Sequence, residues 1–175
     1  MPTTFTAIGY TSLSATASSV SFTSIPATYT DLKLVASVRG DIIANTYFVL
    51  GLVLNGVSGA NNNFRSAYME GQGSSLSPGQ QTNNSWAGFP VGSGTSVPTN
   101  LFGSFELYIA NYGSNRKTVS IWGNTVATSA ITYTTANGIS WNDTSAVTSI
   151  GLNTLAGTGN FATNSTFTLY GIKRA

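Results

Sequence analysis

Tryptophan and its polar neighbours are the side chains in this sequence best suited to binding chemistry. Trp122 and Trp141 lie in the second half of the chain, and Trp141 is followed directly by Asn142 and Asp143. An indole face can stack on a sugar ring while amide and carboxylate oxygens accept hydrogen bonds from sugar hydroxyl groups. These four residues therefore form a candidate carbohydrate platform. The alternative is that they are core or core-edge residues of a β-sandwich.

The residue types that perform most enzyme chemistry are scarce in this sequence. The chain of 175 residues has no His, no Cys and only five acidic residues. The commonest general base, the commonest zinc ligand and any thiolate nucleophile are therefore excluded. Five scattered carboxylates are too few for a calcium site built from several of them. We expect no catalytic residues, no metal site, no cofactor and no enzymatic activity.

The surface of the protein is polar but carries little charge. Charged residues make up 7% of the chain, whereas about 25% is usual for a soluble domain. Hydroxyl and amide side chains can be buried against a partner at lower cost than charges, so this composition favours a protein that lives in an assembly. The seven basic residues form no patch, so we expect no nucleic-acid partner. Neither a signal peptide nor a membrane-spanning segment is expected.

Short alternating segments predict the elements that must position these side chains. Leu32, Leu34, Ala36 and Val38 alternate with Lys33, Val35, Ser37 and Arg39, which places the first set inward and the second outward. The segment 103–123 reads as a hairpin, and Asn55-Gly56 predicts a turn that would pair 47–54 with 64–70. Further strands are predicted at 18–25, 125–134, 137–141, 147–155 and 165–173. We predict a single all-β domain over 1–175, an antiparallel jelly-roll-like β-sandwich.

One segment lacks this alternation. Residues 71–100 are rich in Gly, Ser and Pro, and the sequence predicts a long loop there. The loop carries Trp86 and Phe89. Either these side chains pin the loop onto its own sandwich, or they reach a neighbouring subunit as part of an interface.

The tripeptide Arg39-Gly40-Asp41 spells a known receptor-binding sequence. A sequence this short arises often by chance. It also suits the turn that follows a predicted strand, where Gly and Asp are favoured. We expect it to be a turn.

Four segments of the chain carry a resemblance to a known family. They are "ASSVSFTSIPATYTDLKLVASVRGD", "LNGVSGANN", "FGSFELYIANYGSNRKTVSIWG" and "AVTSIGLNTLAGTGNFATNSTFTLYGIKRA". Together they resemble virion proteins of tailed bacteriophages, and especially a group in phages of cyanobacteria and marine bacteria. The resemblance runs from about Ala17 to Lys173. Its motifs are those of a β-rich module and single out no site.

The resemblance implies a structural or adhesive role in a virus particle. The expected function is that of a capsid decoration or cement protein, which forms a homotrimer, binds the major capsid protein and stabilises the lattice. Such a protein is made in the host cytoplasm and lies on the outer capsid surface. The alternative is a tail fibre or spike module that binds a receptor or a carbohydrate.

The last two basic residues, Lys173 and Arg174, have two readings under this resemblance. They keep the end of a sheet soluble and discourage edge pairing, or they contact an acidic capsid surface. We include both residues with Trp86 and Phe89 in the candidate interface.

Overall fold

The computed structural model describes residues 4–41, 47–57, 64–72, 75–84, 87–93, 100–128, 131–155 and 159–173. Over these ranges the chain forms twelve β-strands and no helix. The strands are β1 (Phe5–Ser12), β2 (Ser19–Phe22), β3 (Asp31–Val38), β4 (Tyr47–Leu54), β5 (Phe64–Gln72), β6 (Ser75–Asn84), β7 (Ala87–Ser93), β8 (Gly103–Ile109), β9 (Lys117–Thr128), β10 (Ile131–Trp141), β11 (Ile150–Thr154) and β12 (Thr166–Ile172). The predicted all-β class is confirmed.

The strands form two antiparallel sheets that pack face to face. The large sheet has eight strands in the order β1-β12-β3-β8-β9-β10-β5-β6, and the small sheet has four in the order β2-β11-β4-β7. A single cluster of buried apolar side chains draws on both sheets, for example Leu34 from β3 and Leu52 from β4. The shared core confirms the predicted β-sandwich.

The alternation read from the sequence sets which face of each strand enters the core. In β3 the apolar residues Leu32, Leu34, Ala36 and Val38 are all buried, and Val35 is exposed. In the hairpin of β8 and β9, the buried residues are Phe105, Leu107, Ile109, Val119 and Ile121. Burying a side chain of this size contributes about 1.5–3 kcal/mol. The inward faces of these strands therefore supply much of the apolar burial that holds the two sheets together.

The connections of the sandwich are compatible with a jelly roll. The hairpins β5–β6 and β9–β10 extend one side of the large sheet. Without them, the remaining strands have the orders β1-β12-β3-β8 and β2-β11-β4-β7. A jelly roll likewise divides eight strands between two sheets through Greek-key connections. The jelly roll remains our interpretation of this strand order.

The predicted long loop over 71–100 is wrong. The segment contains the end of β5 together with β6 and β7. Strand β6 pairs with β5 at the edge of the large sheet, and β7 pairs with β4 at the edge of the small sheet. Pro78 and Pro90 lie in these two edge strands, where a residue without an N–H group is tolerated. The partner strands supply the extended conformation that the local sequence does not indicate.

One predicted strand pairing and one predicted strand boundary also need correction. Asn55 and Gly56 do form a tight turn, because both have positive φ and the Val57 N–H donates to the Leu54 carbonyl at 3.2 Å. However, β4 pairs with β11 and β7, whereas β5 belongs to the other sheet, so 47–54 and 64–70 are not partners. The strand predicted over 125–134 is divided between β9 and β10, which form their own hairpin.

Candidate functional site

The outward face of the large sheet carries the large exposed apolar side chains found among the described residues. Among the described residues, large apolar side chains are exposed at five positions, with exposed fractions of 51% for Phe5, 66% for Tyr10, 41% for Val35, 55% for Met69 and 54% for Trp122. All of them lie on strands β1, β3, β5 and β9 of this sheet. Exposed apolar side chains gathered on one face are typical of a binding surface.

Four of these side chains lie in one row across the sheet. The strand register places successive Cα partners in line from one edge of the sheet to the other. From β1 to β6 the row consists of Tyr10, Thr168, Val35, Glu106, Trp122, Ala136, Met69 and Pro78. Neighbours in such a row are close enough for their side chains to touch, so residues far apart in sequence form a continuous surface.

An ion pair divides the row into two parts. The Lys33 ammonium lies 2.7 Å from the Glu106 carboxylate, and both side chains are partly exposed. On one side are Phe5, Tyr10 and Val35, which we call the β1 patch. Phe5 belongs to this patch because its ring packs edge-on against Tyr170, with 6.5 Å between centroids. On the other side is a groove beside Trp122.

The groove, which we call the Trp122 slot, has a volume of about 640 Å³. Its walls are Trp122 on β9 and Met69 with Pro78 on β5 and β6. Its floor is formed by Ala136 and Gly138 of β10. Trp122 and Met69 are two strands apart, which corresponds to about 10 Å between their backbones. The slot exists because small residues on β10 separate two large side chains on the neighbouring strands.

Two further small residues and two polar side chains also line the slot, together with Ile121 and Asn137. Ala67 and Gly79 continue the floor, and Ser120 and Glu106 lie at its rim. Nothing lies within 4 Å of the position that a Cβ on Gly138 would take. The floor at Gly138 is therefore open to whatever enters the slot.

The predicted carbohydrate platform of Trp122, Trp141, Asn142 and Asp143 is not assembled. Trp141 is fully buried at 0% exposure and belongs to the core, whereas Trp122 lies on the outward face. In the β9–β10 register Trp141 pairs with Lys117 and Trp122 pairs with Ala136. The sequence allowed Trp141 to be either part of a carbohydrate platform or a core residue, and in the structure it is a core residue. Of these two indoles, that of Trp122 is the one exposed for stacking.

Asn142 and Asp143 begin the loop that follows β10. Asn142 is exposed, and the Asp143 carboxylate accepts a hydrogen bond from the Ser145 N–H at 2.7 Å. The backbone and side-chain hydrogen bonds from Ser145 lower the pKa of the Asp143 carboxyl below its usual value. Asp143 thus fixes its own loop and does not approach Trp122.

The backbone of the same loop binds a buried lysine, Lys117 of β9, which is not among the candidate residues predicted from the sequence. Lys117 is 1% exposed, and its ammonium lies 4.9 Å from the centre of the Trp141 ring. The ammonium donates to the carbonyl oxygens of Asp143, at 3.2 Å, and of Ser145. Lys117 shares the inward side of β9 with Val119 and Ile121, which is a signal that strand alternation could have revealed.

We expect Lys117 to make the stability of the protein depend on pH in the alkaline range. Burial lowers the pKa of the Lys117 ammonium, and the charge of Asp143 partly opposes this. Between this lowered pKa and the unfolded value near 10.5, the unfolded chain binds more protons at this side chain, so Lys117 should make the free energy of unfolding rise with pH. The raised pKa of the buried Tyr112 hydroxyl acts in the opposite direction at high pH. The contribution of Lys117 is therefore measured as the difference between wild type and Lys117→Met in urea unfolding at several pH values.

The matched variants for this experiment are Lys117→Met and Lys33→Met. Lys117→Met removes the buried ammonium and should lose the alkaline rise. Lys33→Met removes a partly exposed ammonium and should keep it. Parallel pH profiles for wild type and Lys117→Met would contradict the expected role of this side chain.

Two of the four residues of the candidate interface, Phe89 and Lys173, lie in the described part of the structure. Lys173 follows β12 and is exposed; its N–H donates to the Thr4 carbonyl at 3.0 Å, and its ammonium lies 5.7 Å from the centre of the Tyr29 ring. Phe89 pairs with Leu50 in the small sheet. Trp86 and Arg174, and the side chain of Phe89, lie outside the described residues. Lys173 is therefore the one member whose surroundings are known, and it lies beside the Phe5 end of the β1 patch.

The tripeptide Arg39-Gly40-Asp41 is part of the fold. Arg39 is only 6% exposed, and its carbonyl accepts a hydrogen bond from the Ala162 N–H at 2.7 Å. The Asp41 carboxylate accepts bonds from the backbone and side chain of Asn160, at 2.6 and 3.1 Å. These contacts tie the end of β3 to the segment before β12, and they hold the tripeptide in place.

Within the described ranges no group of three or more potential metal-binding side chains comes together. The same part of the chain contains no helix of the length and apolarity needed to cross a membrane. Comparison with known proteins finds no matching family model, no matching curated protein and no matching solved structure. The site therefore has to be interpreted from its own chemistry.

Proposed function

We propose that this chain is a structural protein of a tailed-bacteriophage particle, and specifically a capsid decoration protein. It binds the major capsid protein on the outside of the assembled capsid and stabilises the lattice, with a homotrimer as its working form. The observation that carries this proposal is the β1 patch, an exposed apolar surface in a chain with 7% charged residues and no His or Cys. The sequence resemblance to virion β-modules supports it.

The β1 patch has the composition of a protein-docking surface. Phe5 and Tyr10 are aromatic, and aromatic residues are enriched where protein interfaces are most buried. Lys173 lies at one end of the patch and adds a positive charge that an acidic partner surface would complement. A protein that binds the assembled lattice better than free subunits shifts the equilibrium toward the intact particle by mass action.

We expect the paired substitutions Tyr10→Ser and Val35→Thr to weaken particle binding. Together they remove much of the apolar surface of the β1 patch, and a loss of about 1.4 kcal/mol already lowers affinity tenfold. Variants would be added to particles stripped of the native protein, and the bound fraction would be measured by quantitative mass spectrometry. Trp122→Ala, on the same face but in the slot, is the control that should bind normally.

A second variant tests the charge at the end of the chain. Lys173→Ala should lower occupancy more at low ionic strength than at high, because salt screens an exposed charge.

Cryo-electron microscopy of the same particles shows where the protein lies. Density confined to the tail, or full occupancy by the Tyr10→Ser, Val35→Thr variant, would contradict the proposal.

The second candidate function is a receptor- or carbohydrate-binding module of a tail fibre or spike. The specific observation in its favour is the exposed indole of Trp122 above a groove with a small-residue floor. Imaging of the particle separates the two functions, because a fibre or spike module lies on the tail whereas a decoration protein lies on the capsid.

A further inference from the structure

We propose that the Trp122 slot is a binding site for one pyranose ring of a neutral carbohydrate. The slot lies on β9, β10, β5 and β6, whereas the β1 patch lies on β1 and β3, and the Lys33–Glu106 ion pair separates the two. The site can therefore operate whether or not the β1 patch docks on a particle. It differs from the platform predicted from sequence, because its partners for Trp122 are Ala136, Gly138 and Met69.

The shape of the slot fits a flat ring lying against an indole. Trp122 is 54% exposed, so its side chain offers a free surface for stacking. The floor at Ala136 and Gly138 has no side chain larger than a methyl group, which leaves room between Trp122 and Met69. The C–H groups of one sugar face can then contact the indole while the sugar edges point out of the slot.

The charge of the slot selects a neutral ligand. Among the described lining residues Glu106 is the charged one, and its carboxylate is already paired with the Lys33 ammonium at 2.7 Å. An anionic sugar would meet the negative charge of Glu106, and a cationic sugar would have to compete with Lys33 for that carboxylate. Neutral hydroxyl groups can instead bond to Ser120 at the rim and to Gln80, which is exposed on β6 and pairs with the lining residue Ala67.

The size of the slot argues against a protein partner at this position. A stable protein interface buries about 800 Å² on each partner, and a groove with one tryptophan and one methionine as its large side chains offers far less. A single sugar ring needs only a few contacts. The same comparison predicts weak affinity for one ring and stronger binding when several copies of the chain act together.

The experiment measures binding of neutral sugars to wild-type protein and to two slot variants. The probes are the methyl glycosides of glucose, galactose, mannose and N-acetylglucosamine. Their binding is measured by saturation-transfer NMR and isothermal titration calorimetry. Sialic acid and glucosamine serve as the charged probes. Trp122→Ala removes the stacking surface and should weaken binding by about tenfold, as expected from the loss of one aromatic contact.

Gly138→Val tests the slot independently of the tryptophan. The new side chain enters open space and suits a β-strand, so the fold should be kept. It fills the floor, and binding should fall at least as much as for Trp122→Ala. Tyr10→Ser, in the β1 patch, is the matched control and should bind sugar as wild type does.

Each other outcome overturns the proposal. The proposal fails if the wild-type protein binds no neutral sugar or prefers a charged probe. It also fails if either slot variant binds sugar as the wild-type protein does. Loss of particle occupancy in Gly138→Val without any sugar binding would mean that this half of the face contacts a protein. Failure of the capsid proposal is recognised separately, because it is read from particle occupancy in the Tyr10→Ser, Val35→Thr variant.

Discussion

Replacing Trp141 by alanine should lower the free energy of unfolding by about 3–5 kcal/mol, the range seen for large aromatic side chains in protein cores. Trp141 is the largest of the fully buried side chains in the described structure. Its loss leaves a cavity at the end of β10 and removes the ring beneath the Lys117 ammonium. A cation and an aromatic face attract each other by about 0.5–2 kcal/mol, so both effects act in the same direction.

The matched control for Trp141→Ala is Trp122→Ala. Both variants remove an indole, but Trp122 is 54% exposed on the outward face. Its removal should change stability by about 1 kcal/mol or less, as for other exposed substitutions. Urea unfolding followed by far-ultraviolet circular dichroism measures both values. Equal destabilisation by the two variants would contradict the assignment of one indole to the core and the other to the surface.

The sequence predicts the fold best where apolar and polar residues alternate within one strand. Such alternation marks the inward faces of β3 and β8, and the same period places Trp122, one residue after the inward Ile121, on the outward face. It could not give β6 and β7, whose sequences are dominated by Gly, Ser, Gln and Pro. These strands form because β5 and β4 present edges to pair with, and that information is not local.

The site was harder to predict than the fold because it depends on register. Trp122 and Trp141 are both on neighbouring strands, and their separation onto opposite faces follows from the pairings Trp141 with Lys117 and Trp122 with Ala136. Shifting the register by one residue would exchange the two faces. Met69 becomes a neighbour of the slot only through the pairing of β5 with β10. No local pattern in the sequence contains these three-strand relationships.

The two hairpins that extend the large sheet are what create the slot. Strands β9, β10, β5 and β6 carry all of its walls and floor apart from Glu106 at the rim. The same strands β9 and β10 also supply core residues from their inward faces, among them Ile121 and Trp141. Binding and stability are therefore assigned to opposite faces of these strands, and substitutions on the outward face should leave the core intact.

Replacing Phe167 by alanine should also lower the free energy of unfolding by about 3–5 kcal/mol. Phe167 lies on β12, which pairs with β1 on one side and β3 on the other, and its side chain is fully buried. Its ring meets Phe161 edge-on at 5.1 Å between centroids. The variant therefore loses the burial of the ring and the aromatic contact at the point where β12 joins the core.

Phe5→Ala is the control of the same chemistry, since Phe5 is 51% exposed on the adjacent strand β1. Phe5→Ala should lower the free energy of unfolding by about 1 kcal/mol or less. A double-mutant cycle with Phe161→Ala isolates the contact between the two buried rings, which should be worth about 0.5–1.5 kcal/mol. Additive effects of Phe161→Ala and Phe167→Ala would show that the rings contribute only by their separate burial. A small effect of Phe167→Ala would contradict the full burial of this ring in the core, because removal of a fully buried aromatic side chain leaves a cavity.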